Sequence, residues 1–327
     1  MNGNQSLYAI AKRTNQPSPI TFTIRQGIYH KSALSEVHTI EIPEAKEVYE
    51  TLLVQVGELP SMELYLLVPR SDNIYIDEYN TKDRQHARHR VGRYPIHPDL
   101  GSPVNLSIAK GWLDDCRDNH AQCRPVETSR LPTRVLDVGI SEGLDSCRLV
   151  ETGNKEGNYV ALSHCWGAKI KERLTTETLS NFLRCIQIAQ LPANFRDAIH
   201  VTRQLGMRYL WIDALCILQD SKEDWASESE RMGSIYQDST LTIFAMTSKG
   251  SEEGFLKTVN PRYPNPTALK VSLATNDQTS VLVAGREFKE ENLVWLRYDS
   301  ALSTRGWAFQ EVILSRRSLF FGARQLY

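Results

Sequence analysis

The chain has no long apolar run. None of its segments approaches the length needed to cross a bilayer, and the N-terminus, MNGNQSLYAIAKRTNQ, carries no apolar core of the secretory kind. Insertion into a membrane and export by a leader are therefore not expected, and a cytoplasmic location is. An excess of charge is also missing. Lys plus Arg number 38 and Asp plus Glu 39, a formal net charge of −1, so nothing draws the whole molecule to nucleic acid or to anionic lipid. There is no Gly-x-Gly-x-x-Gly loop, which removes a dehydrogenase-type dinucleotide site. Internal repeats and low-complexity tracts are absent as well, which excludes solenoids and propellers.

Cysteine is sparse. The six, at 116, 123, 147, 165, 185 and 216, sit in a long chain without a leader and read as free thiols. Cys116, His120 and Cys123 lie close enough in sequence to raise the question of zinc. No second Cys/His pair with ligand spacing accompanies them, so a packed helix end is expected and no metal site. One local run is basic, from Lys82 through Arg84, His86, Arg88, His89 and Arg90 to Arg93. No aromatic residue is interleaved before Tyr94, so the run reads as a solvated loop and not as a nucleic-acid surface.

Apolar residues at 41% and charged residues at 24% are ordinary for a globular protein, and 327 residues suffice for one large domain or two small ones. Residues 1 to about 45 are polar and weakly periodic, which predicts partial disorder or an appended strand. TLLVQV and LYLLV, between residues 46 and 80, predict short strands of a small N-terminal subdomain. The charged stretch 81–103, with Pro95, Pro98 and Pro103, predicts a linker. The domain division expected is thus an N-terminal extension over 1–104 and a main domain over 105–327, with its core at about 158–327.

In the main domain, Ile108, Trp112 and Cys116 fall four apart and predict a helix over 106–120. Strands are predicted at Val135–Val138, Cys147–Glu151 and Tyr159–His164, the last two joined by the turn at 153–157. Pro192 opens a helix whose inner face carries Phe195, Ala198, Ile199, Thr202 and Leu205 and which Gly206 ends. Tyr209–Ile212 is a short apolar strand. Asp224 then caps a helix with Trp225, Met232, Ile235 and Tyr236 on one stripe, before a strand at Leu241–Ala245. Strand, helix, strand, helix, strand predicts an α/β fold, a three-layer, mostly parallel sheet between helices. Strands at 269–273 and 280–284, a helix over 305–314 capped by Ser303 or Thr304, and a strand near 318–321 complete the expectation. The abrupt stop at Tyr327 reads as a truncated product.

Three segments carry a family resemblance: YVALSHCWG at 159–167, YLWIDALCILQD at 209–220 with Asp224, Trp225, Glu228, Met232, Ile235 and Tyr236 beyond it, and RGWAFQE at 305–311 running into LSRR and FFG. Together, and in this order, they resemble the hallmark blocks of the HET domain of fungal heterokaryon-incompatibility proteins, and GWLDDCRDNHAQCRP and LPTRVLDVG resemble its lead-in. Ala214, Ala308 and Val312 depart from the residues common in those blocks. The resemblance implies an effector of non-self recognition and programmed cell death, with an unidentified activating partner and homo-oligomerisation as a candidate. The element order also resembles the Toll/interleukin-receptor (TIR) fold, a flavodoxin-like arrangement. That likeness implies NAD as a candidate substrate, since in enzymatic TIR domains a glutamate a few residues after a tryptophan carries NAD cleavage. The alternative is a non-catalytic assembly module whose oligomerisation triggers death.

Parallel sheets bind ligands at the carboxyl ends of their strands. Ser163, His164 and Asp213 fall at such ends and are candidate ligand-binding residues, with Trp225 and Arg305 beside them. Glu228 is the candidate catalytic acid. It shares a helical face with Trp225, Met232 and Ile235, where an acid must be paired, neutralised or at a cleft mouth. It also follows Trp225, at a spacing one shorter than the usual TIR pattern; pairing with Arg305 or capping a local backbone amide is its structural alternative. Cysteine-nucleophile chemistry at Cys165 or Cys216 lacks a visible oxyanion device.

Overall fold

The computed structural model describes strands at 20–26, 49–56, 62–67, 267–272 and 278–285, and residues 97–120, 123, 128–140, 144–167, 170–259, 291 and 293–327. The basic run at 82–93 lies outside the described residues. Two compact units are present: Met1–Pro95 with Pro261–Glu290, and Ile96–Asn260 with Glu291–Tyr327.

The first unit is built on an antiparallel sheet of β1 (Ile20–Gln26), β2 (Tyr49–Val56), β3 (Met62–Leu67), β12 (Thr267–Ser272) and β13 (Gln278–Gly285), in the order β1-β2-β3-β13-β12. Leu282 stands opposite Leu67 and Gly285 opposite Leu64, so a hairpin distant in sequence completes the N-terminal strands. The two runs TLLVQV and LYLLV are paired neighbours, Leu52 with Leu64.

The second unit is an α/β layer structure. Its strands are β4 (Ser129–Arg130), β5 (Arg134–Asp137), β6 (Ser146–Glu151), β7 (Glu156–Gly157), β8 (Tyr159–Ser163), β9 (Ile186–Gln187), β10 (Tyr209–Trp211), β11 (Leu241–Ala245) and β14 (Ser318–Phe321). Seven of them form one sheet in the order β14-β11-β8-β10-β5-β6-β9. Its four strands β14, β11, β8 and β10 are mutually parallel, and β5, β6 and β9 continue the sheet antiparallel. The sheet is therefore mixed, its parallel character confined to one half. β6 and β8, expected to follow one another across a turn, do not pair; β5 and β10 stand between them. The expected adjacency of the strands at 159, 209 and 241 is observed, with β8 between the other two.

All five residues of β8 and of β11 are buried, as they must be in parallel strands covered on both faces. The covering helices are α1 (Pro103–Asn119), α2 (Leu179–Arg184), α3 (Ala193–Gln204), α4 (Asp213–Cys216), α5 (Lys222–Asp238), α6 (Leu293–Asp299) and α7 (Ala308–Leu314). Ser102 caps α1, accepting from the Asn105 amide, with Pro103 at the first turn. Pro192 occupies the cap position of α3, and Gly206 at φ +73° lets the chain leave it. α5 is capped by Ser221, which accepts from the Asp224 amide, and not by Asp224. The Asp224 carboxylate is thereby released to pair with Arg134, at 2.7 Å, and to accept from the Leu218 amide at 2.8 Å.

α3 connects β8 to β10 on one side and α5 leads from β10 to β11 on the other. The winding direction reverses at β8. The carboxyl end of β8 is thus the topological switch point, where neighbouring loops splay apart and a ligand can be held.

Candidate functional site at the sheet switch point

β8 ends at Ser163, and the next residues, His164, Cys165 and Trp166, turn across the edge of the sheet. His164 is buried at 1% exposure, its ring edge-on to Phe195 of α3 at 5.1 Å between centroids. Its Nε2 lies 3.2 Å from Asp213 Oδ1, and its Nδ1 lies 3.0 Å from the Cys165 carbonyl and 3.3 Å from Ser251 Oγ. Asp213, two residues past the end of β10 and the first residue of α4, also accepts from Trp166 Nε1 at 2.8 Å and from the Ala214 amide at 2.7 Å. Burial pushes the Asp213 carboxyl up, but the His164 bond and charge, Arg305 and Trp166 outweigh it and leave the group below its ordinary range.

Two residues reach this edge from the last third of the chain. Arg305 donates to the His164 carbonyl oxygen. Glu311, on α7, accepts from the Ser163 hydroxyl and is buried at 3% exposure. Burial raises the Glu311 carboxyl above its ordinary value; Ser163 and Arg305 only partly oppose this, and the Asp213 charge adds to it. A shallow cleft between α5 and α7 opens beside Glu311, lined by Met232, Gly233, Tyr236, Trp307, Gln310 and Leu314. The loops meet closely here. Gly167, at φ +69°, would place a Cβ 2.7 Å from the Gly250 Cα, so the turn after β8 and the turn after β11 touch backbone to backbone.

Of the residues singled out in sequence, Ser163, His164, Asp213 and Arg305 converge on this one edge. Trp225 does not join them. It is 58% exposed, because the inward stripe of α5 runs through Asp224, Glu228, Arg231 and Ile235, a quarter turn away. Glu228 is buried, but its partners are the Thr133 hydroxyl at 2.5 Å and Arg231 at 3.7 Å, and not Arg305. Its Oε2 has no hydrogen-bond partner among the described residues. Close by, Arg134 pairs with Asp224 and donates to the Cys216 carbonyl at 2.8 Å, so the Glu228 surroundings form a polar cluster between β5 and α5. Trp211 is core, Trp307 is mostly exposed, and Trp166 is a positioning partner of Asp213.

Sequence reasoning met Glu311 as the last residue of the RGWAFQE segment; the structure makes it a buried acid at the end of β8. The signal available was Trp307 four residues before it, at the N-terminal cap of the same short helix. Thiol chemistry is disfavoured by burial. Cys216 is fully buried with its thiol pushed up to about 12, and Cys165 is raised for the same reason, so neither is a thiolate near neutrality.

Residues 159–311, from the first residue of β8 to the switch-point glutamate, match the family model of the heterokaryon incompatibility protein (HET). Neither the curated proteins nor the solved structures contain a match to the chain.

Proposed function

We propose that this protein is an effector of fungal non-self recognition and programmed cell death, acting by cleavage of NAD at the β8 switch point with Glu311 as the acid. The heterokaryon-incompatibility match over residues 159–311 supports the biological role. The observation that carries the chemistry is the buried Glu311, bonded to Ser163 at the end of β8 and facing His164, Asp213 and Arg305.

The parallel strands, numbered in chain order, run 2-1-3-4 across the sheet, which is the flavodoxin-like order and supports a TIR-like reading. In that reading the acid follows a tryptophan at a spacing one longer than Trp225 to Glu228. Trp307 and Glu311 have that spacing, and α7 lies between β11 and β14, next to the switch point. Geometry thus favours Glu311 over Glu228.

Cleavage breaks the bond between ribose C1′ and the nicotinamide nitrogen. The electron pair leaves with nicotinamide, water adds to C1′, and one proton is released, giving nicotinamide and ADP-ribose. Glu311, once ionised, stabilises the positive charge that grows on the ribose. Asp213, His164 and Trp166 hold one another in place and fix the loop against which the dinucleotide lies.

The direct test is incubation of the purified full chain with NAD and chromatography of the products, beside expression in a filamentous fungus. Nicotinamide release together with growth arrest is the expected outcome. The second reading, assembly without catalysis, draws on the outward-facing Tyr298, Trp307, Phe309 and Ile313, each more than half exposed. Growth arrest with cellular NAD intact selects that reading instead.

A further inference from the structure

α1 ends in a cluster that the switch point does not use. The helix carries Cys116 in its last turn, stops at His120 and turns back so that the His120 carbonyl accepts from the Cys123 amide at 2.9 Å. The turn brings one ligand atom each from Cys116, His120 and Cys123 within 4.8 Å of one another. The expectation of a plain packed helix end rested on the lack of a second Cys/His pair in sequence. A helix end followed by a tight turn supplies three ligands without one.

The geometry points to a zinc site at the end of α1, with one Zn²⁺ held by Cys116 Sγ, His120 Nδ1 and Cys123 Sγ and water in the fourth position. His120 Nδ1 faces Cys123 Sγ at 3.9 Å, while Nε2 faces Asp115 Oδ2 at 3.9 Å. Asp115 is itself held by Asn119 Nδ2, which donates to its other oxygen at 2.6 Å. Once it closes to hydrogen-bond distance, a carboxylate behind the non-ligating nitrogen fixes the tautomer that a metal-bound imidazole needs. Arg317 Nε lies 3.2 Å from Cys116 Sγ, an N–H···S bond that favours thiolate at the first ligand.

Two sulfurs and one imidazole nitrogen suit zinc, whose ligand atoms stand about 3.5–3.8 Å apart in a tetrahedron with Zn–S near 2.3 Å. Closing from 4.8 Å to that spacing is a contraction of about 1 Å. Zn²⁺ displaces one proton from each thiol, so binding releases protons, and the bound ion clamps the segment after α1 to the helix end. Arg317 immediately precedes β14, which links the clamp to the edge of the seven-stranded sheet.

The test uses the full chain purified with reductant and without chelator. Its metal content is measured by mass spectrometry, and the metal-free protein is titrated with Zn²⁺ and with Co²⁺. The expected result is roughly one zinc per chain and, with cobalt, the visible bands of a tetrahedral sulfur-ligated ion. Zinc should also protect Cys116 and Cys123, but not the exposed Cys185, from alkylation, a readout that needs no variant. Cys123→Ser and His120→Ala should lose the metal while Cys185→Ser keeps it. Asp115→Asn should weaken binding by roughly tenfold. Zinc well below one equivalent with no cobalt spectrum overturns the proposal, as does unchanged metal content in Cys123→Ser. A Cys116–Cys123 disulfide in zinc-free protein that takes up no metal after reduction overturns it too.

Discussion

The Ser163 hydroxyl donates a hydrogen bond to the Glu311 carboxylate, joining the end of β8 to α7 across 148 positions of sequence. Both residues are buried, so the bond helps to satisfy an acid removed from water. It also sets Glu311 at the point where the winding of the sheet reverses.

Replacing that acid separates catalysis from stability. Glu311→Gln can still accept from Ser163, so it should fold and melt no lower than the parent. NAD cleavage should fall by roughly 10²–10³, the usual cost of removing one stabiliser of transition-state charge. Glu228→Gln should retain cleavage. Equal rates of nicotinamide release from the parent and Glu311→Gln would falsify the assignment, and loss confined to Glu228→Gln would move it to the other acid.

The two switch-point acids should act oppositely on the pH dependence of stability. Asp213 is held below its ordinary 3.8, so its contribution is complete above that pH and is lost as pH falls through the lower folded value. Asp213→Asn should therefore cost stability at neutral pH and flatten the acid limb. Glu311 is raised above its ordinary 4.5, so the folded state keeps its proton longer than the unfolded chain and loses stability as pH rises past 4.5. Glu311→Gln should gain on the parent over that rise. Urea unfolding at a series of pH values reads both slopes.

Arg134 and Asp224 form a pair whose side chains are 6% and 18% exposed, and Arg134 also serves the Cys216 carbonyl. Arg134→Met leaves the carboxylate and that carbonyl without their cation. A loss of about 3–5 kcal/mol is expected, the scale of breaking a buried pair from one side. Chemical denaturation measures it, and a loss below about 1 kcal/mol would mean that water replaces the guanidinium freely.

Gly167 and Gly206 share a left-handed backbone but not a neighbourhood. An added Cβ at Gly167 meets the Gly250 Cα at 2.7 Å, whereas at Gly206 the nearest atom is the end of Lys110 at 3.9 Å. Gly206→Ala should cost roughly 1 kcal/mol from backbone strain alone. Gly167→Ala should cost clearly more, and it alone should disturb cleavage by moving the His164 loop. Equal melting shifts for the two would mean that the loops can separate without penalty.

The sequence by itself determined the local elements of the second unit, because each depends on short-range physics. The apolar runs at 159, 209 and 241 had to be buried strands, and the 3.6-residue spacing of Phe195, Ala198, Ile199 and Thr202 had to be a helix face. It also placed Ser163, His164 and Asp213 at strand ends, since strand ends follow from where the runs stop. Only the tertiary structure decided which acid joins them. Glu228 and Glu311 are both acids on buried helical faces, and the choice rests on which helix α5 or α7 lays against the β8 end. The pairing of β3 with β13 was beyond local reading for the same reason, since the residues that meet, Leu67 and Leu282, carry no mark of one another. The approach of Cys116, His120 and Cys123 at the end of α1 depends on how the chain reverses after His120, and their spacing in sequence says nothing of that reversal.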